Sequence, residues 1–125
     1  MLFDTDVLIW ALRGNLKAAG AIDGADDRCV LAVNYMELLQ GARDKNEVRT
    51  LKSFLADMRF DVLPLTENIG HRATIYMEEY GLASGLNMAD ALIAAGAVEN
   101  HQSLLTGNDK HYRAINELEL TRFRP

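Results

Sequence analysis

Four short apolar runs, separated by longer segments with helical spacing, most constrain the fold of this 125-residue chain. The runs are Met1–Phe3, Val30–Val33, Val62–Leu65 and Leu104–Leu105. They do not alternate apolar with polar residues, which is typical of strands buried on both faces of a parallel sheet. The segments between them repeat apolar residues every three or four positions, as helices do. Two such segments are Glu47–Met58 and Ile69–Tyr80, and the helix start at Asn87 predicts a third helix over Ala89–Val98. The pattern predicts an α/β fold with helices on both faces of a mainly parallel sheet.

The composition is ordinary for a single soluble domain, with 49% hydrophobic and 25% charged residues. No apolar run has transmembrane length, and Asp4 follows Met1 too closely for a secretory signal, so we expect a cytoplasmic protein without a membrane partner. The formal net charge of −5 argues against a protein that coats nucleic acid by bulk electrostatics. It is compatible with a nuclease whose acids are concentrated at one metal site.

Acidic residues follow several of the predicted strands. Asp4 and Asp6 come directly after the first run, and Glu37 lies one helical turn beyond the second. Asn108 and Asp109 follow the strand that ends at Thr106, and Asp90 opens the helix that leads into that strand. Ligands of open α/β sheets bind outside the carboxyl ends of the strands. These side chains therefore converge on one edge if strands one, two and four are neighbours.

Helix capping is an alternative explanation for two of these acids. Asn34 precedes Glu37 by three residues, and Asn87 precedes Asp90 by three. An N-cap residue and an acid with this spacing stabilise a helix start by roughly 0.5–2 kcal/mol. Capping does not account for the acids that follow the other strands.

Converged carboxylates need a cation. Two of them about 4 Å apart repel by roughly 4 kcal/mol at an effective dielectric constant near 20. Hard oxygen ligands suit Mg²⁺ or Mn²⁺, which can stabilise a transferring phosphoryl group and activate water. Hydrolysis of a phosphodiester is the predicted chemistry.

Four segments carry a resemblance to a known family. Leu2–Ile9, Asn34–Gly41, Asn87–Ala95 and Leu105–Tyr112 look like the four successive motifs of PIN-domain ribonucleases. In length and motif order the chain resembles the VapC toxins of bacterial toxin–antitoxin pairs. The resemblance implies one domain over residues 1–125, folded as a PIN-like three-layer α/β/α sandwich with a central, mostly parallel sheet of four or five strands.

The resemblance also implies roles for individual residues. Asp4, Glu37 and Asp90 match the three core acids, which are catalytic and bind the metal. Thr5, Asp6 and Thr106 match positions with orienting roles. The last ligand position falls on Asn108, which is neutral, whereas its neighbour Asp109 is charged, so either is a candidate. We interpret Tyr112 as a packing residue.

The activity implied is that of a Mg²⁺- or Mn²⁺-dependent endoribonuclease that cuts structured RNA, often tRNA or ribosomal RNA. The implied partners are an antitoxin, which lays a segment into a groove beside the site, and a second copy of the chain in a homodimer. Arg43 and Lys110 lie close in sequence to the acid-bearing segments, which makes them candidates for contacts with RNA phosphates.

Three other hypotheses fit part of the sequence. In a haloacid-dehalogenase-like phosphatase, Asp4 would be the nucleophile, but Glu37 and Asp90 would have no role. A catalytically silent PIN-like module would only bind protein. A response-regulator receiver would need its phosphoacceptor at the end of the third strand, where Asp61 instead begins the run.

Overall fold

The computed structural model describes residues 1–125 and contains one sheet of five parallel strands. The strands are β1 (Leu2–Phe3), β2 (Cys29–Leu31), β3 (Asp61–Leu63), β4 (Leu104–Thr106) and β5 (Leu120–Arg122). Their order across the sheet is β3-β2-β1-β4-β5, and each neighbouring pair is parallel. Strand β1 lies between β2 and β4, so the condition for the acids to converge on one edge is met.

Seven helices cover the two faces of this sheet. They are α1 (Thr5–Leu12), α2 (Leu16–Asp23), α3 (Ala32–Gln40), α4 (Lys45–Asp57), α5 (Glu67–Ser84), α6 (Met88–Glu99) and α7 (Asp109–Tyr112). One core lies between the sheet and α1, α2 and α4, and the other lies between the sheet and α5, α6 and α7. Helix α3 contributes Val33 to one core and Leu38 to the other. The predicted three-layer α/β/α sandwich is confirmed.

The two cores explain why the central strands are apolar throughout. Successive side chains of a strand point to opposite faces. In β1, Leu2 packs in the core with α5 and α6, whereas Phe3 packs in the core with α1 and α2. Leu104 and Leu105 of β4 divide in the same way. Because both faces are covered, neither set of positions can be polar.

The end of β2 differs from the prediction. The apolar run Val30–Val33 is not one strand, because β2 ends at Leu31 and α3 begins at Ala32. Asn34 is therefore not an N-cap residue but lies in the first turn of α3. Its side-chain Oδ1 accepts a hydrogen bond of 2.8 Å from the backbone N–H of Leu31, which satisfies a backbone donor that the turn into the helix would leave unpaired.

The third strand was wrongly predicted as Val62–Leu65 and buried on both faces. In the structure β3 is an edge strand, Asp61–Leu63, and the side chain of Val62 is 44% exposed. An apolar run does not distinguish an edge strand from a central one. Helix α2 and strand β5 were not predicted, since α2 buries only Ala18 and Ile22.

The three predicted helices are confirmed with shifted ends. The side chain of Thr66 caps α5, which ends at Gly85 in a left-handed conformation (φ 72°). Asn87 caps α6 as predicted, and Asp90 completes a capping box with it. No helix combines the length and hydrophobicity that crossing a membrane requires.

The strand order shows where along the sheet a binding crevice is expected. From β1 the chain moves outward through β2 to β3, then returns to the other side of β1 with β4 and β5. Strand order therefore reverses between β1 and β4, where a crevice opens at the carboxyl ends of parallel strands. Asp4 follows β1 at this point, and Thr106 ends β4 beside it.

Candidate active site

Asp4 lies at the centre of this crevice. It is the N-cap residue of α1, and it is 5% exposed. Its Oδ1 accepts a 2.8 Å hydrogen bond from the backbone N–H of Thr5. Its Oδ2 accepts hydrogen bonds from the hydroxyl groups of Thr106 (2.7 Å) and Tyr112 (3.1 Å). Both carboxylate oxygens of Asp4 are thus oriented by neutral donors.

Burial raises the pKa of Asp4 to about 6, and the nearby charge of Asp6 adds to this effect. The hydrogen bonds from Thr106, Thr5 and Tyr112 oppose it by stabilising the ionised form. No ion pair of the structure includes Asp4. A buried carboxylate without a positive partner is costly, and a bound cation would remove that cost.

Asp90 faces Asp4 across one hydroxyl group. The hydroxyl oxygen of Tyr112 lies 3.2 Å from Oδ1 of Asp90 and 3.1 Å from Oδ2 of Asp4. The other oxygen of Asp90, Oδ2, lies 3.3 Å from Nδ1 of His111 and 3.4 Å from the backbone N of Asn87. Asp90 therefore caps α6 and also faces the crevice, so the capping and metal-site interpretations are compatible.

Glu37 joins the site through Thr5. The hydroxyl group of Thr5 donates a 2.7 Å hydrogen bond to Oε1 of Glu37 and accepts one of 3.0 Å from Nδ2 of Asn34. Asn34 is fully buried and also lies 3.5 Å from Oδ1 of Asp4. These contacts fit the orienting role that the sequence predicts for Thr5.

Asp6 links α1 to the loop after β4. Its Oδ2 accepts a 2.9 Å hydrogen bond from the backbone N–H of Gly107, and its Oδ1 accepts one from the N–H of Val7. A Cβ atom on Gly107 would lie 2.5 Å from Oδ2 of Asp6, so only glycine fits here without a shift. Burial raises the pKa of Asp6, and the two backbone hydrogen bonds oppose that rise.

Asn108 and Asp109 have different surroundings. Asn108 is exposed, and its backbone N–H donates a 3.0 Å hydrogen bond to the hydroxyl of Thr106. Asp109 is buried, with Oδ1 3.0 Å from the Arg124 guanidinium and Oδ2 3.6 Å from that of Arg113. The hydrogen bond and charge of Arg124 lower the pKa of Asp109. Asp109 already has cationic partners, whereas Asn108 leaves its side chain free.

The two predicted RNA-binding residues are both exposed. Arg43 pairs with Glu47 at 2.7 Å and lines a cavity that also contacts Glu37. Lys110 lies on α7 next to His111 and forms no ion pair. No hydrogen bond or ion pair joins either residue to Asp4 or Asp90.

The acids are close, but they are not packed into one cluster. No three acidic, histidine or cysteine side chains are grouped tightly enough to hold a metal ion as they stand. Hydroxyl groups separate them instead, that of Tyr112 between Asp4 and Asp90 and that of Thr5 beside Glu37. The donor set is all oxygen around a buried, unpaired carboxylate, which fits Mg²⁺ or Mn²⁺. Asp4 and Asp90, with Glu37, are the residues that would hold the ion.

The PIN domain family model matches residues 1–118 of the chain. The chain belongs to the PIN domain family.

Solved structures agree with this assignment. The PIN domain is similar to a chain of a toxin–antitoxin complex from Klebsiella pneumoniae, with a TM-score of 0.82, 25% identity and coverage of 99% of this chain and 98% of that one. It also superposes on a chain of DNA-bound VapBC from Salmonella typhimurium (TM-score 0.83, 17% identity, coverage 97% and 96%). A third match is VapBC-1 from nontypeable Haemophilus influenzae (TM-score 0.80, 21% identity, coverage 97% and 96%).

The last two matches, below 25% identity, show the fold. The family model and the Klebsiella pneumoniae match, a chain of a toxin–antitoxin complex, confirm the predicted resemblance to PIN toxins of toxin–antitoxin pairs. Comparison with curated protein sequences finds no match.

Four residues of this PIN domain complete the site but were not assigned to it from the sequence. They are Asn34, Gly107, Tyr112 and Arg124. Tyr112 is buried as predicted, but its hydroxyl also contacts two acids. Burial and the charges of Asp4 and Asp90 raise its pKa, so the hydroxyl stays protonated. In the sequence, the only indication that Tyr112 has a role in the site was its hydroxyl group, because a tyrosine expected in the core needs a hydrogen-bond partner.

Proposed function

We propose that this PIN domain is a Mg²⁺- or Mn²⁺-dependent endoribonuclease toxin, acting on structured RNA such as tRNA or ribosomal RNA and inhibited by a cognate antitoxin. The observation that carries the proposal is Asp4, a buried carboxylate at the switch point of the sheet with no positive partner and a second acid one hydroxyl group away. Structural relatives from toxin–antitoxin complexes support the biological setting.

The protein side chains have distinct parts in the proposed reaction. Asp4 and Asp90, with Glu37, bind the cation, while Thr106 and the N–H of Thr5 hold the Asp4 carboxylate in one orientation. Thr5 holds Glu37, and Asp6 holds the loop at Gly107 that carries Asn108. When bound, the cation supplies charge stabilisation of the phosphoryl group and activation of water.

A cavity beside Glu37 supports an antitoxin partner. It has a volume of about 640 Å³ and lies between α1, α3 and α4. Its wall combines apolar side chains with two arginines and two glutamates. The apolar residues include Ile9, Leu12, Leu38 and Leu51. Arg43 pairs with Glu47, which leaves Arg13 to face an acidic group. A peptide segment with apolar anchors and an acidic group would fit this lining.

We further propose that the toxin is a homodimer in the cytoplasm.

RNA cleavage by the purified protein tests the proposed activity. We expect Mg²⁺ or Mn²⁺ to activate cleavage of a structured RNA and EDTA to abolish it. Asp4→Asn and Asp90→Asn should each lower the rate by about 100-fold or more, because each removes a charge from the site. Asp61→Asn is the matched control, since Asp61 is an exposed acid at the opposite edge of the same sheet.

Absence of cleavage with either metal, together with unchanged toxicity of the Asp4→Asn protein on expression, would leave the catalytically silent module as the better explanation. The phosphatase alternative predicts phosphate captured on Asp4. It gives no role to Glu37 and Asp90, which the structure brings to the crevice beside Asp4.

The same assay separates the two candidates for the last ligand position. We expect Asn108→Ala to lower cleavage by roughly tenfold or more, as residues around a metal site do. Asp109→Asn should act mainly on stability, because it breaks the ion pair with Arg124. The reverse pattern would assign the ligand position to Asp109.

A further inference from the structure

Tyr112 brings a hydroxyl group into the site from the core below it. Its side chain is fully buried and packs with the residues of α5 and α6. A ring fixed by packing on all sides has little rotational freedom, so its hydroxyl oxygen has a defined position. That oxygen lies 3.1 Å from Asp4 and 3.2 Å from Asp90.

The two acids depend on this hydroxyl to different degrees. Asp4 has shorter hydrogen bonds from other donors, 2.8 Å from the N–H of Thr5 and 2.7 Å from the hydroxyl of Thr106. The carboxylate of Asp90 has no polar contact shorter than its 3.2 Å contact with Tyr112, since His111 lies at 3.3 Å and the backbone N of Asn87 at 3.4 Å. Loss of the hydroxyl would therefore release Asp90 more than Asp4.

The hydroxyl cannot satisfy both acids at once. A phenol carries one hydrogen and keeps it at neutral pH. With both carboxylates ionised, one of the two oxygens facing Tyr112 is left without a donor from it. When the hydroxyl donates to Asp90, it fixes that acid, while Thr106 and the N–H of Thr5 still orient Asp4 and its Oδ2 keeps a lone pair for a cation.

We propose that Tyr112 is a positioning residue whose hydroxyl fixes Asp90 relative to Asp4, so that the two carboxylates bind a divalent cation together. The inference rests on the proposed metal-dependent activity. The ring of Tyr112 packs in the core, and the proposal gives its hydroxyl group a separate function.

The Tyr112→Phe variant removes this oxygen and keeps the ring. Tyr76→Phe is a closely matched control, because Tyr76 is also buried (3% exposed) and its hydroxyl also contacts a carboxylate, that of Glu117. We would measure Mn²⁺ binding to the metal-free protein by calorimetry. Tyr112→Phe should raise the Kd for Mn²⁺ by roughly 10- to 100-fold, as loss of groups that orient metal ligands does. Tyr76→Phe should leave the Kd unchanged.

A second measurement separates positioning from a structural role. Cleavage rates are measured as the Mn²⁺ concentration is raised. For Tyr112→Phe the half-maximal Mn²⁺ concentration should rise in parallel with the Kd, and the rate at saturating Mn²⁺ should recover. In the wild-type protein, Mn²⁺ should also change the near-ultraviolet spectrum of tyrosine, and this change should be absent in Tyr112→Phe and retained in Tyr76→Phe.

An unchanged or lower Kd in Tyr112→Phe would overturn the inference while the proposed function stands. Thermal midpoints of the two variants guard against misfolding, and a similar midpoint with weaker Mn²⁺ binding supports the inference. A wild-type protein that neither binds Mn²⁺ nor cleaves RNA would overturn the proposed function itself, and the inference with it.

Discussion

At the scale of the residue, the surroundings of Asp4 lower the stability of the metal-free protein and would favour the binding of a cation. The carboxylate is buried, its donors are neutral, and its pKa is raised to about 6. An ionised group in such a place costs folding free energy, which the hydrogen bonds offset only in part. A cation bound at the proposed site would remove this cost.

This cost predicts an unusual pH dependence in EDTA. The pKa of Asp4 is about 6 in the folded state, above its ordinary value of 3.8, so the folded state binds more protons than the unfolded state between these values. Stability due to Asp4 is therefore full below pH 4 and is lost as the pH rises through 6, by about 3 kcal/mol in total.

Urea denaturation of the wild-type protein and of Asp4→Asn measures this contribution of Asp4 to the free energy of unfolding. The free energy of unfolding of the wild type, minus that of the variant, should fall as the pH rises from 4 to 7. The subtraction removes other groups, including Glu117 and Asp109, whose lowered pKa values act in the opposite direction. A difference that stays constant over this range would contradict the role assigned to the burial of Asp4.

Position along the chain was enough to predict the edge of the sheet that carries the acids, but not that Asp109 pairs there with Arg124. The ends of parallel strands share one edge, and Asp4 and Asp90 could be placed there from the sequence. The contacts of Tyr112 could not, because its ring reaches the crevice from a different strand end through a four-residue helix. The position of the Tyr112 ring depends on how α7 packs, and no local sequence pattern encodes that packing.

At the scale of the element, α6 approaches the sheet at Gly96. A Cβ atom at this position would lie 2.7 and 2.9 Å from the two Cδ atoms of Leu31 in β2, and Leu31 is fully buried. Helix α6 carries Asp90 at its N-terminus. The close packing of this helix on β2 therefore helps to set the position of a site residue.

Two glycine-to-alanine substitutions test this packing. Gly96→Ala should destabilise the protein by about 1–3 kcal/mol, because the added methyl group overpacks the core against Leu31. Gly70→Ala, in the interior of α5 with no atom within 4 Å of the added Cβ, should stabilise it by about 0.5–1 kcal/mol through helix propensity. Thermal or urea unfolding of both variants gives the comparison, and equal effects would argue against close contact at Gly96.

The elements missed or misplaced in the sequence have different causes. Strand β5 and helix α2 bury only part of their surface, so their patterns are weak. Strand β3 was found from its apolar run, but such a run does not show that the strand lies at an edge. Central strands and the long helices α4, α5 and α6 bury a full face and were predicted. The turn from β2 into α3 was misplaced because Ala32 and Val33 continue an apolar run while the backbone has already turned into a helix.

At the scale of the whole molecule, a cation that binds only the folded state stabilises the entire domain. We expect Mg²⁺ at about 100 times its Kd to raise the free energy of unfolding by roughly 2.7 kcal/mol. Asp4→Asn should abolish this stabilisation, while its metal-free form should be as stable as the wild type or more so. Thermal unfolding with and without Mg²⁺ measures both effects.

Asp61→Asn should retain the full stabilisation by Mg²⁺, because it changes the charge of the protein equally but far from the site. If Mg²⁺ protected Asp4→Asn as well as it protects this control, the cation would be bound elsewhere. If metal-free Asp4→Asn were clearly less stable than the wild type, the cost assigned to the buried charge would be wrong.

The pairing of β1 with β4 also determines when during synthesis the site can exist. Asp4 lies directly after the first strand, but its partners Thr106 and Tyr112 are 102 and 108 positions further along the chain. A nascent chain can pair β1 with β2 early, yet it lacks β4 and α7 until these later residues have been made. The proposed active site therefore forms only after α7 has been synthesised.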